Sequence, residues 1–167
     1  MKLTDILPLK TWKSLEDDLT ARSGMQSCVF DADGIRITGT KRWANRLCPA
    51  IKADERGQSY ICAVAHMNLA AEAANTRKPV IGECDAGMAK YVVPIFHGEV
   101  FFGVAGGCGV LCDDGEVDAF MLDKTLGIPA ATVDSLSDGI ARLTSQQMAE
   151  LAAFVEGWLA AHLPSAG

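Results

Sequence analysis

Six cysteines and three histidines carry the strongest chemistry in this 167-residue chain. The cysteines are Cys28, Cys48, Cys62, Cys84, Cys108 and Cys112. No two form a Cys-x-x-Cys pair, so the local signals of zinc ribbons, ferredoxins and thioredoxins are absent. Cys62 and His66 lie four apart in a helical stretch, which puts thiol and imidazole on one face, about 5–6 Å apart at Cβ. Such a pair is half of a zinc or iron site. The plain alternative is a cysteine packed as a small hydrophobe beside an ordinary histidine. Cys84 is the stronger candidate, because Glu83-Cys84-Asp85-Ala86-Gly87 reads as a turn between apolar strands. Cys48 precedes Pro49 at an element end, and Cys108 sits in Gly106-Gly107-Cys108-Gly109, read as a flexible exit from a strand. Cys48, Cys62, Cys84 and Cys108 are therefore the candidate ligands for an iron–sulfur cluster or another metal, although only the fold can gather them. Cys28, inside a strand, reads as core.

Other chemistries find less support. There is no Gly-x-Ser-x-Gly elbow, no Gly-x-x-x-x-Gly-Lys phosphate loop and no His-Glu-x-x-His pair. A Cys84 nucleophile served by His66 or His97 is the remaining enzymatic reading, and the chain is read as a non-enzyme. Asp31-Ala32-Asp33-Gly34 lacks the downstream ligands of a calcium loop and reads as a hairpin turn.

The elements that must position these groups follow from periodicity. Thr11 to Arg22, with Trp12, Leu15 and Leu19, predicts an amphipathic helix capped by Gly24 in the left-handed conformation. Met25 to Phe30 and Ile35 to Thr40 predict a hairpin. Trp43 to Cys48 predicts a short helix or turn closed by Pro49. Alanine-rich Tyr60 to Thr76 predicts a helix with Ser59 as N-cap. An antiparallel meander over Val80 to about Gly107 follows, turning at Gly87, where positive φ is expected. Val117 to Leu126 predicts a further helix. Ser145 to His162 predicts a long one with Met148, Leu151, Ala152, Val155 and Leu159 on one face. The order gives a single domain of the α+β class, an antiparallel sheet flanked by helices.

A hydrophobic share of 49% is ample for a core, and a net charge of −6 argues against an exposed basic surface for nucleic acid. Met1 to Lys10 has no apolar run of signal-peptide length, and no stretch reaches the roughly 18–20 apolar residues of a membrane span. A soluble, cytoplasmic protein is expected, its cysteines reduced, metal-bound or redox-active and not a disulfide frame.

The chain resembles the PocR sensory domain family, a PAS-like ligand-binding module. The resemblance rests on Ser23-Gly24, Cys28-Val29-Phe30-Asp31-Ala32-Asp33-Gly34, Asn45-Arg46-Leu47-Cys48 and Cys62. It continues through Lys78-Pro79-Val80-Ile81-Gly82-Glu83-Cys84-Asp85-Ala86-Gly87-Met88, Val93-Pro94-Ile95, Gly98 and Phe102-Gly103. It implies a PAS-like fold and a small-ligand sensor, with the family's recurring cysteines at Cys48, Cys62 and Cys84. Cys108 as a fourth ligand goes beyond that pattern. Asp85 stands where the family form has histidine, and Gly106 to Gly109 where a Gly-Gln-Val ending is common. The expected pocket lies between the sheet and the alanine-rich helix, with His66, Met88, Tyr91 and Phe102 as ligand contacts. The C-terminal helix is the expected route for signalling, through a homodimer or another partner.

Overall fold

The computed structural model describes residues 1–167. Four strands, β1 (Gln26–Asp31), β2 (Val80–Glu83), β3 (Ala89–His97) and β4 (Val100–Cys112), form an antiparallel sheet in the order β1-β4-β3-β2. A two-residue strand, β5 (Arg142–Leu143), pairs in parallel with the end of β4. The helices are α1 (Leu3–Ile6), α2 (Leu9–Ser23), α3 (Leu47–Lys52), α4 (Glu55–Gly57), α5 (Val64–Thr76), α6 (Ala119–Leu126), α7 (Ala130–Ser137) and α8 (Ser145–His162). A π-helical turn, Gln58–Ala63, joins α4 to α5. The result is the expected α+β arrangement of an antiparallel sheet flanked by helices. No helix is long and apolar enough to cross a membrane.

Side chains alternate across the strands, so each face of the sheet has its own partners. Ala89, Tyr91, Val93 and Ile95 of β3 join Trp12, Leu15 and Leu19 of α2 and Met148, Leu151, Ala152, Val155 and Leu159 of α8 in one core cluster. The apolar face predicted for α8 is thus sealed onto its own sheet. Thr144 sets the helix start, accepting from the Gln147 N–H at 3.1 Å while its own N–H donates to Gln147 Oε1 at 2.9 Å, a capping box. On the opposite face, Val92 and Val104 pack with Ala73, Leu69 and Ala70 of α5. A third cluster, including Leu47, Ile51, Ile61, Met88 and Leu122, ties α3 and the π-helical turn to α6.

Four predicted features differ. Ile35 to Thr40 does not return as a strand; one bridge, Phe30 to Arg36, is all that forms. The reason lies in α2. The Val29 N–H, which a neighbouring strand would receive, donates instead to Glu16 Oε1 at 2.9 Å. Pro49 does not close a helix but sits in the first turn of α3, where a missing N–H costs nothing. Ser59 is not an N-cap, because the helical path begins earlier and Asp54 accepts from the Arg56 N–H at 2.8 Å. Gly106 to Gly109 is not a loop but part of β4: Gly106, Gly107 and Cys108 pair with both β1 and β3, and Gly109, at φ +97, is the unpaired residue of a bulge.

Glu16 is 3 % exposed and also accepts from Thr38 Oγ1 at 2.9 and 2.7 Å. Burial pushes its carboxyl above the ordinary range, while the Thr38 and Val29 hydrogen bonds oppose the shift. Glutamine keeps a carbonyl for Val29 and sheds the desolvated charge. Glu16→Gln is therefore expected to change unfolding free energy by no more than about 1 kcal/mol. Urea titration checks this; a loss above about 3 kcal/mol would show that the charge itself holds the Arg36 to Thr40 segment.

Candidate functional site: a cysteine-lined cavity

One cavity of about 250 Å³ lies between the sheet and the helices that follow β1, on the sheet face away from α8. β1 contributes Gln26, Cys28 and Phe30, and β4 contributes Val104 and Gly106 to Gly109. The helical wall is Cys48 and Lys52 of α3, Cys62 of the π-helical turn, and His66 and Met67 of α5. The turn between β2 and β3 adds Cys84 and Met88.

Local chemistry fixes each cysteine. Asn45 clamps α3 onto β4: its Nδ2 donates to the Gly109 carbonyl at 2.8 Å, and its Oδ1 accepts from the Cys48 N–H at 2.7 Å. The Cys48 thiol then meets Met88 Sδ at 3.6 Å. Cys84 sits on a tight turn, its N–H donating to the Met88 carbonyl at 2.9 Å and its carbonyl accepting from the Gly87 N–H at 2.9 Å. Gly87 has φ +89, and a Cβ there would overlap the Glu116 carbonyl oxygen, so the expected positive φ is present for two reasons. The π-helical turn carries Cys62 onto the cavity wall just ahead of His66, a use of irregular helix common at functional sites.

The residues expected from sequence divide as follows. Cys48, Cys62, Cys84, Cys108, His66, Met88 and Tyr91 all border the cavity, and Cys28, read as core, joins them. Phe102 does not. It packs with the α2 and α8 cluster and meets His97 edge-on, with ring centroids 6.4 Å apart. Its neighbour Phe101 faces α5 instead, since consecutive strand residues point to opposite faces.

Burial dominates the electrostatics. It pushes the thiols of Cys28 and Cys62 up to about 11 and that of Cys48 up to about 12. Burial also raises Cys84, opposed by the backbone amides of Met88 and Ala86. A nucleophilic thiol needs the reverse. His66 packs against Phe30 with centroids 4.1 Å apart and the rings tilted by 39°. Burial, then Lys90 and Lys52, lower it to about 4, so its imidazole is neutral at pH 7. Two polar side-chain atoms on the cavity side of the sheet are buried without a hydrogen-bond partner, Gln26 Nε2 and His66 Nδ1; the Tyr91 hydroxyl is a third such atom, but its ring lies in the cluster with α2 and α8 on the other face. Buried polar groups are nearly always paired, so two orphans on one cavity wall suit a place where a further group binds. No three His, Cys, Asp or Glu side chains come together as a site for a single metal ion.

Sequence reasoning missed Asn45 as a clamp, and it missed Gln26, Phe30, Arg36, Lys52 and Lys90 altogether. Lys90 left a readable signal, a cation inside the apolar run Ala89-Lys90-Tyr91-Val92-Val93.

A mostly apolar internal cavity with a few convergent polar groups is the form of a small-molecule binding domain. The family model described as the sensory domain found in PocR matches residues 5–162, and the chain belongs to that family. No curated protein and no solved structure matches it.

Proposed function

We propose that this is a cytoplasmic sensory domain that takes a small molecule into the cavity between β1, β4 and the helix bearing Cys62 and His66. The observation that carries this reading is a mostly apolar space of 250 Å³ with two unpartnered buried polar atoms, Gln26 Nε2 and His66 Nδ1, on its wall. Occupancy would be felt by α3, the π-helical turn and the β2–β3 turn, which all contribute to the wall. Signalling through α8 would use its exposed side, because its apolar face packs on the sheet.

A second reading sets an iron–sulfur cluster at Cys48, Cys62, Cys84 and Cys108. What favours it is that these four thiols, scattered over sixty residues of sequence, border one space. Their arrangement does not fit a single ion, so the metal form of the proposal is a polynuclear cluster, which spans more space. The thiols would have to lose their protons to bind it.

Elemental analysis and a visible spectrum of protein purified without oxygen separate the two. Colourless, metal-free, folded protein is the expected result. Stoichiometric iron and sulfide with brown absorbance, lost in Cys84→Ser while helix content stays, would overturn the metal-free form in favour of the cluster.

A further inference from the structure

Lys90 lies in the middle of the sheet, paired with Gly82 of β2 on one side and Cys108 of β4 on the other. It is 9 % exposed and borders the cavity. The four ion pairs of the protein engage Arg22, Arg42, Arg56 and Arg77, so no carboxylate answers it. Its Nζ instead lies 5.4 Å from the centre of the Phe30 ring. Lys52 and Arg36 border the same space. Arg36 is partly engaged, donating to the Thr40 carbonyl at 2.8 Å. Against these three cations the wall offers one carboxylate, Asp33. Glu16, whose charge is felt by Arg36, is committed to Val29 and Thr38.

A chain of net charge −6 does not gather unanswered cations in an apolar space by composition alone. A buried charge without a partner is costly. The cysteines do not answer it, since burial keeps their thiols protonated. Resting on the reading of the cavity as a receptor site, we infer that its ligand is a small organic carboxylate, held by Lys90 and Lys52 and packed along Phe30, Met88, Val92 and Val104. The rest of the wall is mostly apolar and suits a hydrocarbon body, which a small organic carboxylate has and inorganic phosphate lacks. A dry cavity of about 150 Å³ admits benzene, so 250 Å³ takes on the order of ten non-hydrogen atoms.

The test uses the full chain, with benzoate and hexanoate as probes and benzamide and hexanamide as their neutral counterparts. Calorimetric titration is expected to show the acids binding about tenfold or more tightly than the amides. Lys90→Met is expected to weaken the acids by about thirtyfold or more and to leave the amides unchanged. Should Lys90→Met fail to fold, Lys52→Gln reads the same difference at a smaller size. Amides binding as tightly as acids, or acids indifferent to both substitutions, would overturn the carboxylate while leaving the receptor site standing. If neither class binds and neither protects Cys62 and Cys84 from alkylation, the receptor reading fails and this inference with it. A bound cluster that is lost in Lys90→Met would also overturn it, because the cation would then answer the cluster's charge.

Discussion

Gly106→Ala is expected to lose at least about 4 kcal/mol of stability, a fall in melting temperature on the order of 10 °C or more. Gly106 is in β4, one of the two strands with a neighbour on each side, opposite Cys28 of β1 and Val92 of β3. A Cβ there would overlap the Tyr91 carbonyl oxygen and come within 3.1 Å of Val92 Cα. Those atoms are backbone, so relief requires β3 and β4 to part, and a side-chain rotation does not help. The next residue is the control. A Cβ on Gly107 would meet Met25 Cβ at 3.2 Å and Tyr91 Cε1 at 3.3 Å. These are side-chain atoms that can give by a few tenths of an ångström, so Gly107→Ala is expected to cost only about 1–2 kcal/mol. Paired thermal and urea unfolding curves decide it. Equal stability of the two variants would mean that β3 does not approach β4 as closely as the fold requires. The glycines of β4 therefore let the strands meet while bordering the cavity.

That double role explains why this stretch misleads a reader of the sequence. Glycine lowers strand propensity, so Gly106 to Gly109 reads as a loop, and only the close approach of Tyr91 shows why a strand there must be glycine. The hairpin after Asp31 stops at a single bridge for a similar reason. Its missing partner is the carboxylate of Glu16, thirteen residues upstream, and no local signal announces a side chain that replaces a strand. Features set by local periodicity were readable: α8 spans the predicted residues, and its predicted apolar face is the buried one. The convergence of Cys48, Cys62, Cys84 and Cys108 was readable only as a set of cysteines near element ends. Phe102 shows the limit of such reasoning, since a shift of one residue along a strand moves a side chain to the other face.

The pH dependence of stability should carry the signature of His66. The residue is 7 % exposed, its ring packs against Phe30, and its Nδ1 has no hydrogen-bond partner. Burial, then Lys90 and Lys52, bring it from the ordinary value of 6.5 to about 4. Between those values the unfolded chain takes up a proton that the native protein refuses, so the unfolded state gains as pH falls. The contribution is fully present above pH 6.5, declines across the window, and is gone below about 4. Moving from pH 7.5 to pH 5 is expected to lose about 2 kcal/mol through this residue. Glu16, raised by burial, works in the opposite direction by gaining stability as pH falls, so a whole-protein profile mixes the two. His66→Phe isolates the effect, because phenylalanine keeps an aromatic ring against Phe30 and cannot titrate. Urea unfolding at the two pH values should show the wild type losing about 2 kcal/mol more than the variant. If both lose the same, His66 accepts a proton in the native state. The cavity wall would then carry a fourth cation, and the neutral imidazole would no longer be available to pair with a ligand.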